Sequence, residues 1–294
     1  LSHNDLFEEI PQSIGYLTNL NTLNLSMNSL RGQIPDNVGD LTSLETLDLR
    51  GNVLSGPIPM SIGDLLNLES LELRVNDISG EIPHSIGNLI QLKYLGLNDN
   101  DLNGEIPQSI GNLTNLHTLA LFHNDLNGQI PNNIGSLTNL MKLHLKSNNL
   151  SGEIPESIGD LLNLKELDLK DNSFSGQIPD NLYDLNNLIE LDFSKNDLVG
   201  EIPESIGNLI NLSNLTLSEN NLSEQIPESI GNLTNLRHLK INDNELIGEI
   251  PSSIGNLTSL DYFYLHNNNL SGFIPESICL TSLNFQSGSL RGNF

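Results

Sequence analysis

The chain has 294 residues, with 37 acidic against 12 basic side chains and a net charge of −25 at pH 7. This excess of negative charge repels phosphate backbones and anionic lipid surfaces, so we expect no nucleic-acid partner and no membrane contact within this chain. No apolar run reaches the length of a membrane span, and Cys279, the single cysteine, excludes an intrachain disulfide.

An Ile-Pro pair recurs every 24 residues, from Ile10-Pro11 to Ile274-Pro275, without insertion or deletion. A fixed period of this length predicts a repeat architecture, in which each unit buries its leucines by stacking on its neighbours. We therefore expect residues 1–294 to form one domain of about twelve repeats, with a degenerate last repeat from residue 276.

Within a repeat, the first predicted element is a short strand. The pattern LxxLxLxxNxLxGxIPxxIGxLxx describes nearly every unit, and residues 44–59 (LETLDLRGNVLSGPIP) are a good example. The two leucines of LxL are two residues apart, so both point to the core while the residue between them points to solvent. Stacked copies of this strand predict a parallel sheet.

One asparagine follows each predicted strand at a fixed position of the repeat. Its side-chain amide is able to satisfy backbone groups where the chain leaves the strand, and stacked copies would form a structural ladder. The ladder residues after Asn4 are Asn28, Asn52, Asn76, Asn100, Asn124, Asn148, Asn172, Asn196, Asn220, Asn244 and Asn268.

The rest of the repeat predicts a turn and a short helical arc. Glycine precedes the Ile-Pro pair in ten of twelve units, as at Gly32 and Gly56, where the backbone needs a conformation that disfavours a β-carbon. Proline then removes a donor, and the PxxIGxLxxL arc is too short for a stable α-helix, which predicts one 3₁₀ or helical turn.

These motifs resemble the plant-type leucine-rich repeat of receptor kinase ectodomains, receptor-like proteins, polygalacturonase-inhibiting proteins and a plant antifreeze protein. The resemblance covers residues 1 to about 275. It implies an α/β right-handed solenoid with a parallel sheet on its concave face, 3₁₀ turns on its convex face, and a second short strand formed by the GxIP segment. The cysteine-paired caps usual in such plant ectodomains have no counterpart in this sequence.

Charged residues separate sharply between the two sides of the predicted coil. We define the strand face as the positions seven, six, four, two and one residues before each ladder asparagine. It holds ten of the twelve Lys and Arg, six of the seven His and thirteen acids, a net of about −3, whereas the rest of the chain carries about −22. A chemically mixed surface on an acidic body favours a role in binding.

Two clusters on the strand face are candidate ligand-binding sites, because exposed aromatic side chains beside adaptable donors are typical of recognition surfaces. In the first, Gly96 and Ala120 share a phase in adjacent units and predict a shallow depression. The predicted binding residues are Tyr94, His117, Phe122, His123, Lys142, His144 and Lys146 around this depression, and Tyr262, Tyr264 and His266 near the carboxyl end. Ordinary packing between neighbouring strands is the alternative for both clusters.

The sequence does not indicate a catalytic site, a cofactor site or a metal site. It contains no phosphate-binding glycine loop, and no catalytic triad stands out. Asp77, Asp101 and Asp125 share a phase, which predicts carboxylates stacked about 5 Å apart. Calcium would relieve their repulsion, but solvation is the commoner solution, so we expect no enzyme activity, cofactor or metal site.

Nine N-x-Ser/Thr sequons fit a secreted glycoprotein, although NLT and NLS also arise directly from the repeat consensus. They begin at Asn24, Asn112, Asn149, Asn211, Asn214, Asn221, Asn232, Asn256 and Asn269. Glycans at Asn24 and Asn214 would cover the strand face nearby and leave its middle free for a ligand.

The resemblance and the strand face together predict an extracellular, non-enzymatic recognition scaffold that binds a peptide, protein or glycan, with a co-receptor or secreted hydrolase as a further partner. The alternatives are an inhibitor of a secreted cell-wall hydrolase, an ice-binding protein, and a purely structural or engineered repeat. Thr18, Thr42, Thr114, Thr138, Thr234 and Thr258 share the phase that ice binding would use. Leu66, Ile90, Leu162, Asn186 and Ile210 interrupt it.

Overall fold

The computed structural model describes residues 1–280, with side chains up to residue 278. The chain divides into two compact units, unit 1 (Leu1–Leu150) and unit 2 (Ser151–Phe294). Each is described by itself, and the expectation of one domain over residues 1–294 stays a prediction. The degenerate segment predicted at Thr281, Ser282 and Leu283 lies outside the described residues.

In unit 1, two parallel sheets and a series of 3₁₀ turns repeat along the chain. The first sheet contains β2 (Thr22–Asn24), β4 (Thr46–Asp48), β6 (Ser70–Glu72), β8 (Tyr94–Gly96), β10 (Thr118–Ala120) and β12 (Lys142–His144). The second sheet contains β1 (Phe7–Glu9), β3 (Ser29–Gly32), β5 (Val53–Gly56), β7 (Asp77–Glu81), β9 (Asp101–Glu105), β11 (Asp125–Gly128) and the start of β13 (Asn149–Glu153). The 3₁₀ turns are Gln12–Tyr16, Asp36–Asp40, Met60–Asp64, His84–Asn88, Gln108–Asn112 and Ile134–Ser136.

The described part of unit 2 repeats the same order. Its first-sheet strands are β14 (Glu166–Asp168), β16 (Glu190–Asp192), β18 (Asn214–Thr216), β20 (His238–Lys240) and β22 (Tyr262–Tyr264). Its remaining second-sheet strands are β15 (Ser173–Gly176), β17 (Asp197–Gly200), β19 (Asn221–Leu222), β21 (Ile247–Gly248) and β23 (Asn269–Leu270). The 3₁₀ turns are Glu156–Asp160, Asp180–Asp184, Glu204–Asn208, Glu228–Asn232, Ser252–Asn256 and Glu276–Leu280.

This arrangement is the leucine-rich-repeat solenoid fold, with parallel strands in stacked sheets joined by short 3₁₀ turns. Its interior is the repeated leucine and isoleucine: Leu47, Leu54 and Ile62 are fully buried, as are their equivalents in most repeats. The described turns other than Ile134–Ser136 start directly after proline, and in the turn Met60–Asp64 the Ile62 N–H donates to the Pro59 carbonyl at 3.0 Å. The sequence prediction of fold class is confirmed.

Glycine allows successive 3₁₀ turns to approach closely. A β-carbon at Gly87 would lie 2.4 Å from the backbone oxygen of Ser109 in the next repeat, a distance that real β-carbons do not reach. Tyr183 takes this position in its own repeat and is 1% exposed. Burial, and then the nearby Asp180 and Glu201 carboxylates, raise the pKa of the Tyr183 phenol well above its ordinary value.

The ladder asparagines bond the backbone of successive coils. Asn124 Nδ2 donates to the Leu121 carbonyl at 3.0 Å and to the Leu97 carbonyl at 3.1 Å. Its Oδ1 accepts from the Leu102 N–H at 3.0 Å. The residue just before the ladder asparagine has a positive φ, including Val75 at 57° and His123 at 53°. The Asn124 side chain therefore satisfies backbone groups at the end of one strand and at the start of the next.

A second row of asparagines lies outside the first and was not predicted. Asn67 Nδ2 donates to the Thr42 carbonyl at 2.8 Å and Asn115 Nδ2 to the Ile90 carbonyl at 2.9 Å, in each case to a residue 25 positions earlier. The other members for which the same bond is seen are Asn139, Asn187, Asn211 and Asn235. The sequence signal was an asparagine nine residues before the ladder asparagine, which recurs with the same 24-residue period.

Candidate functional site

The predicted cluster of unit 1 lies across three neighbouring strands of the first sheet. The parallel register places Thr118 opposite Tyr94 and Lys142, and Ala120 opposite Gly96 and His144. Because side chains alternate along a strand, all of these residues lie on the strand face while Leu119 is fully buried beneath them. We call Tyr94, His117, Phe122, His123, Lys142, His144 and Lys146 the unit-1 cluster.

Phe122 is the centre of the contacts within the unit-1 cluster. Its ring meets His123 edge to face at 5.2 Å between centroids and His144 at 6.3 Å, and Lys146 Nζ lies 5.1 Å from the ring centroid. His123 Nδ1 also lies 2.7 Å from Asp99 Oδ1. An aromatic anchor held between cationic and hydrogen-bonding groups is suited to ligands that carry both apolar and polar parts.

The depression predicted at Gly96 is already filled by the protein. A β-carbon at position 96 would lie 2.7 Å from Tyr94 Cε1 and 2.8 Å from Glu72 Oε2. Gly96 is buried, so the Tyr94 ring and the Glu72 carboxylate lean over it and form the surface there. The glycine shapes the site by admitting these two side chains.

Glu72 belongs to a charged group beside the unit-1 cluster. Arg74 Nε lies 3.2 Å from Glu72 Oε2 and Arg50 Nη1 lies 3.5 Å from Glu72 Oε1. Burial raises the pKa of the Glu72 carboxyl, and the two arginines oppose that shift. Arg50 Nε lies 3.6 Å from Asp48 Oδ1, so each arginine lies beside the carboxylate two positions earlier on its own strand.

The second predicted cluster, in unit 2, is a continuous row of rings. Tyr262 meets Tyr264 at 6.5 Å between centroids, and Tyr264 meets His266 at 6.0 Å. The structure adds two residues of β20 that the sequence reasoning left out: His238 meets Tyr262 at 4.7 Å, and Lys240 Nζ lies 5.9 Å from the Tyr264 centroid. Their position 24 residues before the tyrosines was the available signal. We call these five residues the unit-2 row.

The prediction that Asp77, Asp101 and Asp125 stack directly is wrong. In the second sheet Asp101 pairs with Ser79 and Asp125 with Asn103, so partners are 22 residues apart instead of the 24 that hold in the first sheet. Each carboxylate therefore lies opposite a neutral side chain. Within residues 1–278, no group of three or more His, Cys, Asp or Glu is placed to hold a metal ion.

The sequons differ in how far their asparagines are free to react. Asn24 and Asn214 are half-buried on the first sheet, and Asn24 Oδ1 accepts from Ser26 N at 3.0 Å and from Ser26 Oγ at 2.8 Å. Asn211 is exposed but belongs to the outer asparagine row. The other six, Asn112, Asn149, Asn221, Asn232, Asn256 and Asn269, are exposed and lie off the strand face.

Unit 2 also has an open groove of about 920 Å³ on the side of its Ile-Pro segments. Glu201, Glu224 and Glu249 line it, together with Glu204 and Glu228. Glu204 accepts a hydrogen bond from the Ser229 N–H at 3.1 Å, and Glu228 accepts one from the Ser253 N–H at 3.3 Å. These two carboxylates thus help to bond successive repeats.

Two models of known protein families match the chain. The family model described as leucine-rich repeat region matches residues 75–198 and 195–285, and the model described as leucine rich repeat matches residues 19–41 and 43–65. The chain belongs to the leucine-rich repeat family. No curated protein matches it.

Solved structures of plant receptors share its fold. The plant peptide hormone receptor RGFR1 in complex with RGF2 is 38% identical, with a TM-score of 0.81 over 94% of this chain and 49% of that one. The Arabidopsis receptor kinase HAESA ectodomain with an IDA peptide hormone is also 38% identical, with a TM-score of 0.83 over 96% of this chain and 51% of that one. The chain thus spans about half the length of these ectodomains.

A plant ice-binding protein is a more distant match. It is 24% identical with a TM-score of 0.60, over 100% of this chain and 82% of that one, which shows a shared fold alone. In residues 1–280 of the present chain, every helix is a 3₁₀ turn of at most five residues, and none is long and apolar enough to cross a membrane.

Proposed function

We propose that this leucine-rich-repeat chain is an extracellular, non-enzymatic recognition module that holds a peptide, protein or glycan on the strand face, the side that its sequence predicts to be concave. The single observation that carries the proposal is the unit-1 cluster, where an aromatic anchor is surrounded by histidine and lysine on an otherwise acidic molecule. The similarity to receptors that bind peptide hormones supports a peptide ligand.

The arrangement favours recognition over catalysis. Phe122 and Tyr94 are half-buried against neighbouring residues, so their rings have less conformational freedom to lose when a ligand binds. The surrounding His123, Lys142 and His144 add polar groups beside these two rings. Anchors of this kind carry most of the affinity of an interface, while surrounding polar contacts set its specificity.

The test is a selection of displayed peptides on the purified chain, followed by calorimetric measurement of affinity for the selected peptide. The variant Tyr94→Ala/Phe122→Ala/His144→Ala should weaken binding by at least about 2 kcal/mol, as loss of interface anchors does. A matched control, Tyr16→Ala/Met60→Ala/His84→Ala, removes exposed side chains from the 3₁₀ turns and should change binding by less than about 0.5 kcal/mol.

Equal affinity of the wild type and the triple variant would remove the unit-1 cluster from the proposal. Inhibition of a secreted cell-wall hydrolase by the wild type and not by the triple variant would identify the ligand as an enzyme. Co-receptor binding, as in the structure of HAESA with IDA and the co-receptor SERK1, is a partner type to assay in the presence of the selected peptide.

A further inference from the structure

The unit-2 row is an aromatic surface with a regular construction. In β20 and β22, His238 pairs with Tyr262 and Lys240 with Tyr264, while Phe263 between the tyrosines is buried. Strand alternation therefore turns both tyrosine rings to the outside, and His266 continues the row beyond the strand. Tyr262 is 40% exposed, so its ring is accessible to a ligand.

Planar polar groups border the row at both ends. At one end Arg237 Nε and Nη2 bond Asp261 Oδ2 at 2.8 and 2.7 Å. At the other end Asp243 accepts from Asn267 Nδ2 and Asn242 Nδ2, both at 2.6 Å. These ion pairs and amide bonds fix the direction of groups that still have free lone pairs or N–H bonds toward solvent.

This combination matches the chemistry of a hexose. A pyranose ring with equatorial hydroxyls has C–H bonds on its two faces, which pack on aromatic rings, and hydroxyls around its edge, which pair with carboxylates, amides and guanidinium groups. Successive rings of the row are 4.7, 6.5 and 6.0 Å apart, so the row is longer than one sugar and fits an oligosaccharide.

The charge of the unit-2 row indicates which class of oligosaccharide fits it. The two cations Arg237 and Lys240 balance the two acids Asp243 and Asp261, and burial lowers the pKa of His238, which favours its neutral form. The row is thus close to neutral on a chain that carries −25 overall and repels polyanions. A neutral sugar fits this surface better than a uronic acid polymer.

We propose that the unit-2 row binds a neutral oligosaccharide of β-linked glucose or N-acetylglucosamine, sugars whose ring substituents are equatorial. This inference rests on the proposed function, since it gives the chemical class of one ligand of the strand face. It concerns a surface distinct from the unit-1 cluster.

Isothermal titration of the full chain with cellohexaose and with chitohexaose tests the proposal. Wild-type protein should bind at least one of them, and Tyr262→Ala/Tyr264→Ala should weaken that binding about a hundredfold or abolish it. Tyr262→Phe/Tyr264→Phe keeps both rings and should weaken it by less than about tenfold. Tyr16→Ala, which removes an exposed tyrosine from a 3₁₀ turn, should leave the affinity unchanged.

Intrinsic fluorescence gives a second readout. The chain has five tyrosines and no tryptophan, so a sugar stacked on Tyr262 and Tyr264 should change an emission to which these two residues contribute. That change should be absent in the double alanine variant. Urea unfolding curves of each variant establish that the protein titrated is folded.

Absence of binding to both neutral oligosaccharides, undiminished binding by the double alanine variant, or stronger binding of an oligogalacturonide would overturn the proposal. The triple variant of the unit-1 cluster should retain sugar binding. A chain that selects a peptide through the unit-1 cluster but binds neither sugar disproves the inference alone, whereas one that binds neither peptide nor sugar disproves the proposed function as well.

Discussion

At the scale of single residues, the ladder asparagine performs several tasks that no other side chain combines. At Asn124 the amide donates to carbonyls of its own coil and of the preceding coil, and the oxygen accepts from an N–H in the second-sheet strand of the preceding coil. Aspartate lacks the two donors, and glutamine places them one carbon too far away. This explains why the residue repeats while its neighbours vary.

Substitution of one ladder asparagine should therefore be costly. Asn124→Ala removes one of two asparagine donors from each of the Leu97 and Leu121 carbonyls, which Asn100 and Asn148 also bond. It also leaves the Leu102 N–H without its side-chain acceptor, at a site that is 8% exposed. We expect the free energy of unfolding, measured by urea denaturation, to fall by about 3 kcal/mol. Asn103→Ala, at an exposed position of β9, is the control and should cost less than about 0.5 kcal/mol. A loss no larger than that of the control would contradict this role.

Individual residues also show where the sequence was sufficient. The Leu-x-Leu spacing predicted which side chains are buried, because strand alternation depends on position alone. It did not predict that Glu72 and Tyr94 cover Gly96, since the direction of a long side chain depends on contacts between repeats. The outer asparagine row was missed for a related reason: an exposed Asn-Leu pair has the same letters whether its side-chain amide is bonded or free.

At the scale of the element, the second strand depends on the glycine that precedes Ile-Pro. Gly200 and Gly248 have φ angles of 92° and 78°, and Glu224 has 65° at the equivalent position between them. A side chain in this left-handed region costs about 1 kcal/mol or more. The strands here, β19 and β21, contain two residues each, and the Gln225 to Ile247 pair is an isolated bridge.

Glu224→Gly should relieve this strain. We expect the free energy of unfolding to rise by about 0.5 to 1 kcal/mol, after allowance for the greater freedom of glycine in the unfolded chain. Gly248→Glu is the matched reverse change and should destabilise by more than about 1 kcal/mol, because its β-carbon also meets Gln225 Cγ at 2.9 Å. Urea titration of both variants checks the pair, and loss of stability in Glu224→Gly would refute the strain argument.

The register of the second sheet could not be predicted from the repeat period. Identical letters align at 24 residues, and the first sheet follows that register, as in Thr118 opposite Lys142. The second sheet follows an offset of 22, as in Asp125 opposite Asn103. The slant of a parallel strand pair arises from the backbone and is not encoded in any one residue, so the repeat pattern alone does not distinguish an offset of 22 from one of 24.

At the scale of the whole molecule, charge is unevenly distributed over the chain. The strand face is close to neutral at about −3, and the remaining positions carry about −22. Within residues 1–278, surface ion pairs such as Arg31 with Glu8 at 2.6 Å involve few of these acids. Repulsion among the others opposes the folded state while it favours solubility.

Added salt should therefore stabilise the protein. Between about 10 mM and 150 mM NaCl the screening length falls from about 30 Å to about 8 Å, which weakens repulsion between acids in separate repeats. The midpoint of urea unfolding should rise over this range at pH 7. At pH 4, where many carboxylates are neutral, the same change in salt should have a smaller effect, and an equal effect at both values would point away from carboxylate repulsion.

The constant spans of the asparagine bonds set a rule for how such a chain changes in length. The ladder bonds that join one coil to the next span 22 and 27 positions, as at Asn52, and the bonds of the outer row reach back 25. Duplication or excision of a whole 24-residue coil recreates each of these links with an equivalent neighbour. Gain or loss of a single codon inside a coil instead misaligns all links that cross it, so evolution and engineering alike should alter this molecule by complete coils.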